Sequence, residues 1–185
     1  MRTRTSVIDS NVLFSIEFTD LFVTFAKRRL IRLHWSSTIL DEVRGSLLSS
    51  ARLSPAAVEH RISAMQRALP DAHARIRDDL TQNLHVAPSD RHVLALAITS
   101  HADSIVTLNI RDFPLAYCQS LGVAVLTPDR VLTELATDDP LGVKFALQEI
   151  AERRQLPPMT VDELLNRWRL NLPTFVEVAR ELTKD

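Results

Sequence analysis

Three glycines, Gly45, Gly122 and Gly142, serve all 185 residues of this chain. So few flexible positions exclude a turn-rich β-sandwich, whose hairpins need residues tolerant of positive φ. They also leave no glycine-rich phosphate loop of either common type, and nucleotide binding through such loops is excluded. What remains is a series of short apolar runs separated by longer amphipathic segments.

Ser6-Val7-Ile8 is a brief apolar run that ends at Asp9. Leu13, Phe14, Phe18, Leu21, Phe22 and Phe25 then recur at helical spacing, which predicts a helix over 11–29. Ile31, Leu33 and Trp35 alternate with Arg32 and His34 as a short strand does. Ser36-Ser37-Thr38 offers N-cap chemistry for a helix to about Leu48, and Ser54-Pro55 opens another that Pro70 closes. A polar helix is expected to about Leu80, a strand at 84–87, and a helix from Pro88-Ser89-Asp90 with Val93, Leu94, Ala97 and Ile98 inward. Runs at 104–107 and 123–126 read as strands, and Thr127-Pro128-Asp129 starts a further helix. Strands alternating with helices predict an α/β fold with a parallel sheet covered by helices. From about Asp138 strand-like runs stop, and two or three helices are expected, with Thr160-Val161-Asp162-Glu163 a capping box. The expected division is therefore 1–137 for the sheet domain and 138–185 for a helical extension.

The chain carries 22 basic and 23 acidic residues, so neither a broad basic surface nor a polyacidic tail is present. One cysteine, Cys118, excludes an internal disulfide framework and a cysteine-rich zinc site. No apolar stretch is long enough to span a membrane, and Asp9 interrupts what could have been a signal sequence. A cytoplasmic location is the expectation.

In an open parallel sheet, ligands bind beyond the carboxyl ends of the strands. The polar residues expected there are Asp9 with Asn11, Glu42, Asp90, and Asn109 with Asp112. Converging carboxylates repel one another unless a cation compensates, and a hard divalent ion prefers oxygen ligands. Each acid also has a plainer role open to it. Asp9, Asp90 and Asp112 could cap helices, and one of Asp41 and Glu42 could simply be solvated. The six histidines are scattered without metal-ligand spacing, so ordinary surface or core placement accounts for them.

Val7-Ile8-Asp9-Ser10-Asn11-Val12-Leu13 resembles the opening of PIN domains. Trp35 through Arg44, with Glu42, resembles their second acidic segment. Asp90 through Ala97 and Ala102 through Pro114 resemble the third and fourth. The likeness runs over about residues 5–136, and the helical tail is similar to that of one branch of VapC-type toxins. The resemblance implies a PIN-like parallel sheet flanked by helices and a Mg²⁺- or Mn²⁺-dependent endoribonuclease that hydrolyses phosphodiesters with metal-activated water. It also implies the toxin role of a toxin–antitoxin pair, a homodimer, and a VapB-like antitoxin as partner. Position by position, Asp9, Glu42 and Asp90 match the metal-binding acids, Asn11 a polar residue orienting the site, and Thr107 a hydroxyl near it. The fourth acid stands two residues after that hydroxyl, where this chain has Asn109. Asp112 is expected to supply the missing carboxylate as a catalytic residue. Arg44, Arg91 and Arg111 are candidate RNA phosphate contacts.

Two other readings stay open. Asn109 could mark a catalytically impaired PIN-like module that binds RNA or protein without cutting. A Mg²⁺-dependent phosphatase using Asp9 as nucleophile is the other, although that pattern wants an Asp where Asn11 stands.

Overall fold

The structure, a computed structural model, describes residues 3–50, 52–81, 83–154 and 157–184. Four parallel strands form its sheet in the order β2-β1-β3-β4 among the described residues. They are β1 (Arg4–Ile8), β2 (Ile31–His34), β3 (Ser104–Val106) and β4 (Ala124–Leu126). The inner strands β1 and β3 are buried almost throughout, while the edge strands expose alternate residues, Arg32 on β2 and Ala124 on β4. Burial on both faces is what covering helices impose on a parallel sheet. Inside it, the hydroxyls of Ser6 and Ser104 pair at 2.8 Å, so neither is buried unsatisfied.

The predicted helix over 11–29 is two helices, α1 (Ser10–Leu13) and α2 (Ile16–Lys27). Ser15 divides them, because its side chain accepts the Phe18 N–H at 3.3 Å and caps α2. A second link holds the break. Arg61 Nη2 donates to Leu13 O at 2.6 Å, Phe14 O at 3.0 Å and Thr19 Oγ1 at 3.2 Å. The last turn of α2 closes with the Leu30 N–H on Phe25 O and the Arg29 N–H on Ala26 O, which puts Arg29 at φ 62°.

Helices α3 (Ser37–Ser49) and α4 (Pro55–Ala68) start at Ser36 and Ser54 as their capping residues predict. The polar helix expected before Leu80 is instead a single 3-10 turn at Pro70–Ala72, an extended stretch, and the short α5 (Asp78–Thr81). The stretch lies beside the end of β2, where Trp35 N–H bonds Ala72 O and Ala74 N–H bonds Trp35 O. No strand forms at 84–87. Leu84 and Val86 are buried there while His85 and Ala87 are exposed, so the alternation is real, but no neighbouring strand is available to pair with it. After α6 (Arg91–Thr99) and β3 come a 3-10 turn at Ile110–Asp112, α7 (Leu115–Ser120), β4 and α8 (Pro128–Asp138).

The tail holds α9 (Pro140–Arg153), α10 (Val161–Trp168) and α11 (Pro173–Thr183). The capping box at Thr160 and Glu163 is formed, with both reciprocal bonds present. Asp139 caps α9 through the Gly142 N–H, and a β-carbon at Gly142 would lie 2.5 Å from both Leu30 Cδ2 and Asp139 Oδ2. Asp129 on α8 accepts the Phe175 N–H at 2.8 Å and so caps α11 from another helix. Phe25 meets Phe175 edge to face at 6.3 Å, and Trp168, Leu165 and Val176 are buried in the same continuous core as the sheet. Asp20 on α2 pairs with Arg153 and Arg154 at 2.8 and 3.2 Å. Among the described residues, no helix is long and apolar enough to cross a membrane.

Because tail and sheet share one core, Phe175→Ala is expected to lower stability by about 3–5 kcal/mol. Chemical denaturation followed by far-UV circular dichroism and by tryptophan fluorescence should show one coincident transition, shifted to lower denaturant. Two separated transitions would show that the tail melts by itself.

Candidate active site

The direction of chain progression reverses between β1 and β3. From β1 the chain moves to β2 on one side, and β3 lies on the other. This switch point leaves a crevice at the carboxyl ends of the two central strands, where open α/β sheets place their sites. Asp9 follows β1 there and Thr107 follows β3.

Asp9 is 5% exposed. Its Oδ1 accepts the Ser10 N–H at 2.7 Å, so the capping role is real. Its Oδ2 accepts from Thr107 Oγ1 and from Asn11 Nδ2, each at 2.7 Å. Asn11 Oδ1 in turn accepts the Leu108 N–H at 3.0 Å, and Thr107 Oγ1 accepts the Asn109 N–H at 3.0 Å. Asp9, Asn11 and Thr107 are thus one network that spans the switch point. Asn109 enters it through its backbone, and its residue is exposed.

Asp90 occupies the N-cap position of α6 but does not cap it. Its φ of −109° and ψ of −2° are not the extended values that aim a capping side chain at the helix N–H groups. The carboxylate accepts Ser89 Oγ at 2.9 Å. Partial burial is the largest influence on it and raises its pKa. The Ser89 bond works against this, the charges of Asp112 and then Asp9 add to the rise, and His92 opposes it. Asp90, Asp112 and Asp9 therefore lie within electrostatic reach of one another.

Glu42 projects from α3 and is 39% exposed, with Oε1 3.2 Å from His92 Nε2. Its neighbour Asp41 pairs with Arg44. Arg44 also binds Glu59 at 2.6 Å, so two carboxylates already occupy this candidate phosphate contact. Arg91 Nε reaches Val86 O at 3.4 Å, while Arg111 is exposed on the 3-10 turn beside Asp112. The residue that sequence reasoning missed is His92. Its position two residues after Asp90 was the available signal.

A cavity of about 590 Å³ lies elsewhere, lined by Thr3, Lys27, Arg29, Ile31, Arg32 and Asp71 among others. It includes no residue of the acidic network, and chemistry rather than volume marks the candidate site.

Residues 5–111, more than half of the chain, match the PIN domain model. The chain belongs to the PIN-domain family. Residues 128–181 match the VapC50 C-terminal domain. Over 105 residues the chain is 30% identical to "Putative ribonuclease VapC50" of Mycobacterium tuberculosis (strain ATCC 25618 / H37Rv). That alignment covers 57% of this chain and 62% of that protein, so the chain spans less than two thirds of the relative's length. No solved structure matches the chain.

PIN domains generally use divalent metal ions, and the donor chemistry of this site suits one. The groups acting on Asp90 are two carboxylates against one histidine, with neither Lys nor Arg among them. Among the described residues, no three His, Cys, Asp or Glu side chains converge as a ready-made cage. That combination fits a divalent ion held by carboxylates and its own waters better than a fully protein-ligated ion.

The acidic site has a cost in the metal-free protein. Burial and repulsion raise the proton affinity of folded Asp90, so its ionised form destabilises the fold above the ordinary carboxylate value of 3.8. Below that value the residue is protonated in both states and the penalty vanishes. Asp90→Asn is thus expected to raise Tm at pH 7 in EDTA, the gain shrinking toward zero as the pH falls below the ordinary carboxylate value. Thermal melts from pH 3 to pH 8 check both the sign and the window.

Proposed function

We propose that this chain is a Mg²⁺- or Mn²⁺-dependent endoribonuclease acting as the cytoplasmic toxin of a toxin–antitoxin pair. The observation that carries the reading is the fixed carboxylate of Asp9 at the switch point, faced by Asp90, whose carboxylate does no capping. Membership of the PIN family and the C-terminal match support it, as does the relative's name as a ribonuclease.

A divalent ion, when bound, would neutralise the acids and lower the pKa of water. Asp9, Asp90 and Glu42 are proposed to hold it, with Asp112 as the fourth carboxylate in place of the family's acid at position 109. Asp112 acts on the charge of Asp90 more strongly than Asp9 does, which supports that substitution. Thr107 and Asn11 keep Asp9 Oδ2 oriented through donated hydrogen bonds and leave its remaining lone pairs available. Arg91 and Arg111 are proposed phosphate contacts. Water attacks phosphorus in line, the bond to the 3′-oxygen breaks, and a proton passes to that oxygen. The products carry a 5′-phosphate and a 3′-hydroxyl. A VapB-like antitoxin and a second copy of the chain are the proposed partners.

One observation favours a second reading. Asn109 and the absence of a preformed three-ligand cage among the described residues are also what an RNA-binding module without cleavage would have.

Cleavage of a mixed pool of structured RNAs with Mn²⁺, with Mg²⁺ and with EDTA separates the two. Metal-dependent cutting is expected, with Asp9→Asn slower by about a hundredfold or more. Products bearing 2′,3′-cyclic phosphates, or cutting that survives EDTA, would overturn the hydrolytic mechanism. For the fourth carboxylate, Asp112→Asn should lose activity about as severely as Asp9→Asn. Near-normal cleavage by Asp112→Asn would remove it from the site.

A further inference from the structure

His92 has an enclosed ring nitrogen with nowhere else to go. Its side chain is 15% exposed, and Nε2 is shut off from solvent without a well-formed hydrogen bond. The polar atom that it approaches is Glu42 Oε1, at 3.2 Å. His92 stands on the first turn of α6, whereas Glu42 stands on α3. The same imidazole also acts on the charge of Asp90. One ring therefore lies 3.2 Å from one acid and within electrostatic reach of another, and different helices deliver the two. Glu42 is 39% exposed, and a glutamate so placed has rotatable bonds to lose before it can serve as a ligand.

We propose that His92 is a positioning residue that directs N–H at Glu42 Oε1 and so presents Oε2 to a divalent cation. The inference rests on the metal reading above and adds a residue that the family match does not supply. It is a claim of geometry: partners that hold ligand carboxylates are worth about 10–100-fold in metal affinity in comparable sites. An enclosed nitrogen 3.2 Å from an oxygen of a half-exposed carboxylate is the juxtaposition on which such a role rests.

The test is Mn²⁺ binding by isothermal titration calorimetry on the full chain, with no RNA present. His92→Leu keeps bulk but removes the donor, and it should weaken Mn²⁺ binding about tenfold. His92→Gln places an amide nitrogen at nearly the reach of Nε2 and should recover most of that loss. In a Glu42→Gln background, His92→Leu should cost little more, because the carboxylate that it serves is gone. A role in packing alone would give no rescue by Gln and an unchanged loss in the Glu42→Gln background, and either result overturns the proposal. Wild-type-like binding by His92→Leu overturns it too. Absence of Mn²⁺ binding by the wild type would instead overturn the metal reading, and the positioning role with it. Should His92→Leu fail to fold, the ¹⁵N resonance of His92 Nε2 in the wild type supplies the answer. It should move on Glu42→Gln, and an unmoved resonance refutes the contact.

Discussion

Asp9 joins two strands that are 98 residues apart in sequence at their buried ends. Its N–H bonds Val106 O at 3.0 Å, continuing the ladder between β1 and β3, while its carboxylate takes the Thr107 hydroxyl. Backbone and side chain of one residue thus close the same seam. An ionised acceptor makes a stronger hydrogen bond than a neutral one. The group proposed for chemistry is therefore also structural: Asn11 cannot shift without releasing Asp9 Oδ2, nor can Leu108 without releasing Asn11. Rigidity of this kind is what a site on strand ends provides and a site on a loop does not.

The other acids are held far less tightly. Asp90 takes a serine hydroxyl, Glu42 lies beside His92, and Asp112 is exposed on a 3-10 turn. One fixed carboxylate and three adjustable ones suit an ion that keeps part of its water shell. The compensating stability comes from elsewhere. The tail contributes Trp168, Phe175 and Val176 to the core, and its ion pairs to Asp20 and Arg28 fasten α9 to α2.

Much of this was legible from residue types. The strands that hold Ser6, Ile31 and Ser104, the caps at Ser36, Ser54 and Thr127, and the box at Thr160 each depend on a few adjacent residues. What resisted reading depended on partners distant in sequence. Leu84 and Val86 alternate as a strand would, but a strand exists only where a neighbour offers a ladder. The helix over 11–29 looked continuous because its apolar period survives the break, and Ser15 announced a cap no more loudly than the thirteen other serines. Asp90 looked like a cap from its neighbours, and only its φ and ψ show a carboxylate turned away from the helix. His92 was one of six histidines until α3 brought Glu42 to it. Which residues follow the two central strands at the switch point is set by strand order, which no local pattern encodes.

Helix α1 is barely one turn long, and a single residue from a distant segment holds its far end. Asp9 precedes its first amide, and Arg61 gathers the carbonyls of Leu13 and Phe14 at its exit. Burial lowers the pKa of Arg61, and no carboxylate pairs with it among the described residues. A charge that grips two backbone oxygens and the Thr19 hydroxyl ties α4 to the floor of the crevice. A substitution that loosens α4 would therefore disturb the helix that begins at Asp9. The most firmly held carboxylate of the crevice thus depends on a segment remote from it in sequence.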